Sequence, residues 1–178
     1  MTSSNLESIF QAATAPMEEI ITEEVVVTEK ACLDNLVYKL IEFASYLYQL
    51  NTQALMLSLN LEAPYFLSVN ELLKEQQKQH LCDFETVGEL VRSLDYLLPM
   101  CSKGLHNAYK GFKHVKTSDA KQNLTCYVKN LETAGFMAKD IINMAEEVDC
   151  PDCEYHMSCV LGHFFNSAWK LKSILRGS

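Results

Sequence analysis

The fold of this chain is decided by residues 33–61, LDNLVYKLIEFASYLYQLNTQALMLSLNL. Apolar side chains recur there at alternating steps of three and four residues, which keeps them on one face of an α-helix. The row consists of Leu33, Leu36, Leu40, Phe43, Leu47, Leu50, Ala54, Leu57 and Leu61. It predicts one amphipathic helix from about Asp34 to Leu61, roughly seven turns long. Helices of this length are typical of helical bundles.

Three later segments show the same spacing, so we predict an all-α four-helix bundle. The second helix is predicted over residues 67–97, and a short helix over 105–109 lies in its connection to the third. The third helix is predicted to begin at Ser118 or Asp119, since both residue types are good N-caps. The fourth opens at Cys150–Asp152, where a proline suits the first turn because its missing N–H would be unpaired anyway.

Two of the predicted helices carry unusual residues on their apolar faces. On the third helix, Ala134, Gly135 and Ala138 are small, which indicates a close approach by a neighbouring helix. On the second helix, Gln77 and His80 interrupt the apolar stripe. Bundle cores do hold metal sites built from facing helices, but a single histidine on such a face is more often a hydrogen-bonded core residue. Both interpretations of His80 remain open at this stage.

Length and composition limit the class of protein. The chain has 178 residues, of which 48% are hydrophobic, so it can bury one sizeable core. We expect an acidic, partly flexible extension over residues 1–30 and one domain over 31–178. No apolar run is long enough to cross a membrane, and the first thirty residues lack the pattern of a secretory signal. Seven scattered cysteines fit free thiols in a reducing compartment, which predicts a cytoplasmic protein.

The charge of the chain is unevenly distributed. The formal net charge of −8 argues against indiscriminate binding to nucleic acid. Residues 1–29 hold six glutamates and no Lys or Arg, whereas residues 96–118 hold no acid. Either these segments are a solvated tail and a solvated connection, or they meet within or between subunits. The lysines of the basic segment are Lys103, Lys110, Lys113 and Lys116.

Two segments of the sequence resemble a known family. Residues 58–94, SLNLEAPYFLSVNELLKEQQKQHLCDFETVGELVRSL, are similar to the junction of the first two helices of Dps proteins, the mini-ferritins that protect DNA during starvation. Residues 164–175, FFNSAWKLKSIL, resemble that family's closing helix, including its tryptophan, here Trp169. The resemblance covers roughly residues 32–176. It implies a ferritin-like four-helix bundle with a short extra helix between the second and third long helices, and assembly into a hollow dodecameric cage.

The resemblance also implies where an iron site would lie. Most Dps proteins oxidise ferrous iron with peroxide at sites shared by two subunits, using two histidines, an aspartate and a glutamate. The matching positions in this chain are Ser58, Asn70, Glu85 and Glu89. A hydroxyl or an amide is a weak iron ligand compared with a neutral imidazole. Glu85 and Glu89 share one helical face, so they either hold a hard cation loosely or form an ordinary polar flank; ferroxidase activity is therefore uncertain.

A second constellation opens the fourth helix. Its spacing is C-x-x-C-x-x-H-x-x-C, and all of its residue types bind zinc or iron–sulfur clusters. Steps of three fan around half of a helix, so one ion cannot meet all four side chains unless the first turn unwinds. The resemblance places this helix start near threefold pores of a cage, where several side chains would be presented in triplicate. The alternative is a plain first turn with buried thiols. The spaced residues are Cys150, Cys153, His156 and Cys159, and the pore candidates are Asp149, Asp152, Cys153 and His156.

Taken with the resemblance, the sequence predicts a diverged Dps-like protein that sequesters iron or protects against stress, with weak or no ferroxidase activity. One alternative is a catalytically silent structural paralogue or a partner subunit of an active Dps-like cage. Another is a metal or redox sensor that uses the Cys150–Cys159 cluster. The expected partners are further copies of the chain. DNA is not expected as a partner, because the N-terminal segment that would approach the phosphates in a Dps-like protein is acidic here. A membrane is not expected either, because no apolar run is long enough to cross one.

Overall fold

The computed structural model describes residues 4–115 and 117–177, with side chains from residue 29 onward. The helices are α1 (Ser4–Asn60), α2 (Phe66–Ser93), α3 (Ser102–Ala108), α4 (Ala120–Glu147) and α5 (Pro151–Arg176). The described residues contain no strand. The predicted all-α architecture is confirmed, including the short helix between the second and third long helices.

The chain divides into two units, residues 1–35 and residues 36–178. In the first unit the backbone is helical from Ser4 onward, so the expected helix start near Asp34 is wrong. Three consecutive β-branched residues, Val25–Val27, which favour strands, are helical as well. Strand propensity of β-branched residues is a weak guide because packing and context override it. Side chains before residue 29 lie outside the described residues, as does Lys116. The flexibility of the acidic extension and its meeting with the lysines therefore stay predictions.

In the second unit, α1, α2, α4 and α5 bury one shared core. From Leu36 to Leu61, every residue of the row that predicted the first helix is buried. Side chains of α1 contact each of the other long helices, which establishes the four-helix bundle. These contacts are the Phe43 and Phe164 rings, 6.1 Å apart edge to face, the Tyr46 hydroxyl donating to the Asn130 carbonyl at 3.0 Å, and Asn51 Nδ2 donating to the Gln77 carbonyl at 2.8 Å.

The starts of α2, α4 and α5 agree with the sequence, whereas the end of α2 does not. Asp119 caps α4, because its carboxylate accepts from the Gln122 N–H at 2.6 Å. The second helix was expected to run to Leu97, yet α2 stops at Ser93. The physical reason is a left-handed Asp95 (φ 67°), which folds the backbone back onto the last turn, and Asp149 (φ 53°) ends α4 in the same way. The closing bonds join the Tyr96 N–H to the Val91 carbonyl at 3.1 Å and the Cys150 N–H to the Ala145 carbonyl at 2.9 Å.

The predicted close approach at the small residues of the third helix is confirmed between α4 and α5. A methyl group placed on Gly135 would lie 2.9 Å from the Phe165 ring, which is too close for a carbon–carbon contact. Ala134, Gly135 and Ala138 are all buried.

We expect Gly135→Ala to destabilise the fold by about 1–3 kcal/mol, because the new methyl group must displace the Phe165 ring. The matched control is Gly162→Ala on α5, where an added methyl group meets nothing within 4 Å. In the control, alanine should stabilise the helix by roughly 0.5–1 kcal/mol, since glycine loses more backbone freedom on folding. Urea unfolding of both variants measures the difference. A stabilised Gly135→Ala variant would contradict the tight contact.

Candidate functional site

The two positions that replace the family's histidines lie together in the structure. Ser58 is buried in the last turn of α1, and Asn70 lies near the start of α2. The Asn70 amide donates a short hydrogen bond to the Ser58 backbone carbonyl, while the Ser58 hydroxyl donates to the Leu55 carbonyl at 2.8 Å. The Asn70 amide therefore joins α2 to α1 across the turn between them, whereas the Ser58 hydroxyl is bonded within α1.

The two retained acidic positions are placed differently. Glu85 and Glu89 lie one turn apart on α2, and both side chains are exposed. Among the residues whose side chains the structure describes, no group of three or more His, Cys, Asp or Glu is arranged to hold a metal ion. A site shared by two subunits would need groups from a second chain, so the iron role of Glu85 and Glu89 stays a prediction.

At the start of α5 the candidate residues point to different surroundings. Asp149, Asp152 and His156 are exposed, whereas Cys153 is buried, with 1% of its surface accessible. Burial and a hydrogen bond with the Cys150 side chain raise the pKa of the Cys153 thiol far above its usual value. Asp149, Asp152 and His156 are thus available at the surface of this chain. Their role in lining a pore, together with Cys153, stays a prediction, because it depends on neighbouring subunits.

Inside the bundle lies a cluster of polar side chains that the sequence interpretation largely missed. We call it the interior polar cluster: Gln76, His80 and Asp83 of α2, Tyr127 of α4 and His163 of α5. The three α2 side chains are each no more than 3% exposed. They follow steps of four and three residues, so they share the buried face of α2. The expected Gln77 is only half-buried, and Gln76 takes the core position.

His80 lies at the centre of the interior polar cluster. A hydrogen bond of 2.8 Å joins its Nε2 atom to the Tyr127 hydroxyl, and its ring stacks on Phe164 at 5.5 Å. Burial lowers the pKa of His80 to about 3, and the nearby His163 adds to the effect. The imidazole is therefore neutral near pH 7. Of the two interpretations, the hydrogen-bonded core residue is the one that the geometry favours.

Asp83 connects the cluster to α5. Its Oδ1 atom accepts from Gln79 Nε2 at 2.9 Å and lies 3.1 Å from His163 Nδ1. Burial raises the pKa of Asp83, and the bonds from Gln79 and His163 oppose that change. Four buried atoms of the cluster have no hydrogen-bond partner among the described residues, which is costly and favours a small polar guest such as water. They are Gln76 Nε2 and Oε1, His80 Nδ1 and Asp83 Oδ2.

A sequence signal for this cluster did exist. The core row of α2 keeps its alternating spacing straight through the polar residues, whereas a search for apolar positions alone skips them. Continuing the row would have placed Gln76 and Asp83 inside the bundle beside His80. The full row is Val69, Leu73, Gln76, His80, Asp83, Val87 and Leu90, and every member is buried.

The lysine segment lies beside a cleft of the second unit. Lys103, Lys110 and Lys113 are exposed. The cleft has a volume of about 620 Å³ and lies between α1 and the connection that leads into α4. Neutral polar side chains and two histidines dominate its lining, so it does not continue the positive charge of the lysines. Its lining includes Gln49, Gln53, Asn60, His106, His114 and Asn123.

Comparison with known proteins places the fold. No family model matches the sequence, and comparison with curated proteins gives no match. Dps from Thermosynechococcus elongatus matches the structure with a TM-score of 0.79 at 13% identity, over 83% of this chain and 94% of that chain. The fold is that of the Dps proteins.

Other solved structures with the Dps fold agree. Dps from Staphylococcus aureus matches with a TM-score of 0.75 at 13% identity, covering 80% of this chain and 95% of that one. The bacterioferritin-related protein from Bacteroides fragilis, a dodecameric thioferritin, matches with a TM-score of 0.77 at 14% identity, over 87% of this chain and 94% of that chain. The predicted resemblance to Dps and ferritin-like proteins is confirmed for the fold, which is what identities this low establish. Among the described residues, no helix is both long and apolar enough to cross a membrane.

Proposed function

We propose that this chain is a cytoplasmic cage subunit with the Dps fold that acts in iron sequestration or stress protection and lacks rapid ferroxidase chemistry of its own. The hydrogen bond between Asn70 and Ser58 carries the proposal. At the two positions where the resemblance implies imidazoles, the chain has an amide and a hydroxyl, and both are bonded to backbone carbonyls. Neither group is a strong iron ligand.

Iron is then a cargo that weak, exposed carboxylates handle. Glu85 and Glu89 lie one turn apart on α2, so a hard cation from solvent can contact the carboxylates of both residues at once. The exposed Asp149, Asp152 and His156 at the start of α5 are proposed to line a pore with their symmetry copies, together with Cys153. DNA is not proposed as a partner, since the chain carries a net charge of −8.

Self-association is supported by apolar surface on α1 and α2. Leu59 and Leu67 are 68% and 79% exposed, and a groove of about 350 Å³ lies between α1, α2 and the α2–α3 connection. Large apolar side chains gathered on one part of a surface mark interaction sites. The groove is lined by Tyr48, Leu81, Phe84, Pro99, Met100 and Leu105 among others.

The iron proposal predicts that ferrous oxidation by peroxide in the presence of the protein is little faster than in buffer. The reason is the absence of imidazole at Ser58 and Asn70. Stopped-flow absorbance of ferric iron measures the rate for the wild type, Glu89→Ala and the control Glu75→Ala, an exposed glutamate elsewhere on α2. All three should agree. Rapid oxidation that Glu89→Ala abolishes and Glu75→Ala preserves would overturn the proposal.

The cage proposal predicts a closed oligomer of about twelve chains when the protein is purified alone. Light scattering coupled to gel filtration measures the mass at micromolar concentration. Leu67→Glu, which places a charge on the exposed apolar surface of α2, should shift the population towards smaller species, whereas Lys139→Glu on the exposed side of α4 should not. A stable monomer for the wild type would remove the homo-oligomeric cage. It would favour the alternative, a partner subunit that assembles only with an active paralogue.

A further inference from the structure

Two cysteines occupy the joint between α4 and α5, in the sequence Cys150-Pro151-Asp152-Cys153. The backbone of Cys150 is held on both sides. Its N–H donates to the Ala145 carbonyl at 2.9 Å, and its carbonyl accepts from the Glu154 N–H at 3.2 Å. Cys150 is the N-cap of α5, with φ −111° and ψ 76°, so its own dihedral angles are not helical. Its side chain is therefore not confined to the direction that a residue inside the helix would have.

The two thiols lie on one side of the helix start and differ in access. Helix geometry places Cα atoms three residues apart about 5 Å from each other, inside the range of Cα separations that a disulfide spans. The Cys150 side chain is close enough to Cys153 to affect the pKa of its thiol. Cys150 is half-buried, whereas Cys153 is 1% exposed. The Cys150 sulfur is thus accessible to a reagent from solvent, whereas the Cys153 sulfur lies buried beside it.

We propose that Cys150 and Cys153 form a redox-active dithiol, which a hydroperoxide oxidises to an intramolecular disulfide. Cys150 is the reacting thiol because it is accessible. Cys153 is the resolving thiol because it is buried and lies one helical turn from Cys150. The inference does not rest on the proposed iron function, and it gives the chain a thiol-based response to peroxide.

The chemistry proceeds in two balanced steps. The Cys150 sulfur attacks one oxygen of the hydroperoxide and the O–O bond breaks, which leaves a sulfenic acid and releases an alcohol, or water from hydrogen peroxide. The Cys153 sulfur then attacks the Cys150 sulfur; the S–S bond forms, the S–O bond breaks, and the hydroxide leaves as water with the Cys153 proton. The thiols lose one electron pair, which the peroxide gains. Because Cys153 is buried, a peroxide in solvent does not reach it, which confines that thiol to the second step.

The first experiment maps the disulfide without changing either cysteine. In a Cys159→Ser background, trypsin releases residues 140–170 as one peptide that holds only Cys150 and Cys153. The reduced protein is treated with stoichiometric hydrogen peroxide, blocked with N-ethylmaleimide and analysed by mass spectrometry. We expect a peptide that has lost both thiol hydrogens and carries no maleimide, and that dithiothreitol returns to the reduced form. Two maleimide groups on the oxidised sample would overturn the proposal.

The second experiment separates the roles of the two thiols with a dimedone probe for sulfenic acid. In Cys153→Ser the probe should label Cys150 at least about tenfold more than it labels Cys153 in Cys150→Ser, since Cys153 is buried and reagents in solvent do not reach it. Exposed Cys159 on the same helix is the internal control for probe labelling in both variants. Labelling of Cys153 that equals that of Cys150 would contradict the assignment. The peptide map stands even if Cys153→Ser fails to fold.

Discussion

Lowering the pH from about 7 to about 4 is expected to cost the folded chain about 3 kcal/mol through His80 alone. Burial lowers the pKa of His80 from 6.5 to about 3 in the folded state. Between about pH 6.5 and pH 3, the His80 imidazole therefore binds a proton in the unfolded chain but stays neutral in the folded chain. The contribution of His80 to stability is complete above pH 6.5, and it falls steadily until the pH approaches 3.

The effect is isolated by comparing the wild type with His80→Gln, which cannot titrate but keeps a polar group near the Tyr127 hydroxyl. Urea unfolding between about pH 7 and pH 4 gives the free energy of unfolding of both proteins. The difference between them should shrink by about 3 kcal/mol as the pH falls. Asp83 acts in the opposite direction, because its raised pKa lets the folded state bind a proton more readily, and it is present in both proteins.

The matched control for this comparison is His156→Gln, at an exposed histidine of α5. Urea unfolding of this variant over the same pH range gives the reference for replacing a surface histidine. Parallel pH profiles for the wild type and His80→Gln would show that His80 binds its proton equally readily in the folded and the unfolded chain, and would contradict its assignment as a neutral core group.

Phe164→Ala should destabilise the fold by about 3–5 kcal/mol. The Phe164 ring is 1% exposed and lies between the Phe43 ring, at 6.1 Å, and the His80 ring, at 5.5 Å. Its removal leaves a cavity between α1, α2 and α5, and it takes away the stacking partner that helps to keep the imidazole dry.

The neighbouring residue provides the control for that cavity. Phe165→Ala removes the same group from a ring that is 40% exposed and packs over Gly135. We expect it to cost less than half as much, and thermal or urea unfolding of both variants measures the ratio. Equal losses would mean that the three-helix packing around Phe164 contributes no more than a surface contact.

Much of the fold could be predicted because it depends on local spacing. The row from Leu36 to Leu61, the break before Tyr65, the cap at Asp119 and the small residues around Gly135 each act through their immediate sequence. The end of α2 could not be predicted in this way. Asp95 takes a left-handed conformation that glycine adopts more often. No glycine therefore marks the end of α2 in the sequence.

The candidate site, like the fold, could be predicted from the sequence only where it depends on local spacing. Ser58 and Asn70 could be aligned with the family's ligands from sequence, but their hydrogen bond depends on how the α1–α2 turn closes. The interior polar cluster required contacts across three helices, such as His80 with Tyr127 and Asp83 with His163. No sequence pattern encodes the distance between such side chains, although the unbroken row of α2 marks which of them are buried.

The unequal lengths of the connections have a consequence for how the chain folds. The second and third long helices are separated by residues 94–119, whereas α1–α2 and α4–α5 are joined by residues 61–65 and 148–150. Closing a short connection costs less chain entropy than closing a long one. We therefore expect two helical hairpins to form first and to dock slowly, with the His80–Tyr127 bond made at docking. During synthesis the α1–α2 hairpin leaves the ribosome first, so its apolar face stays open to aggregation until α5 is complete.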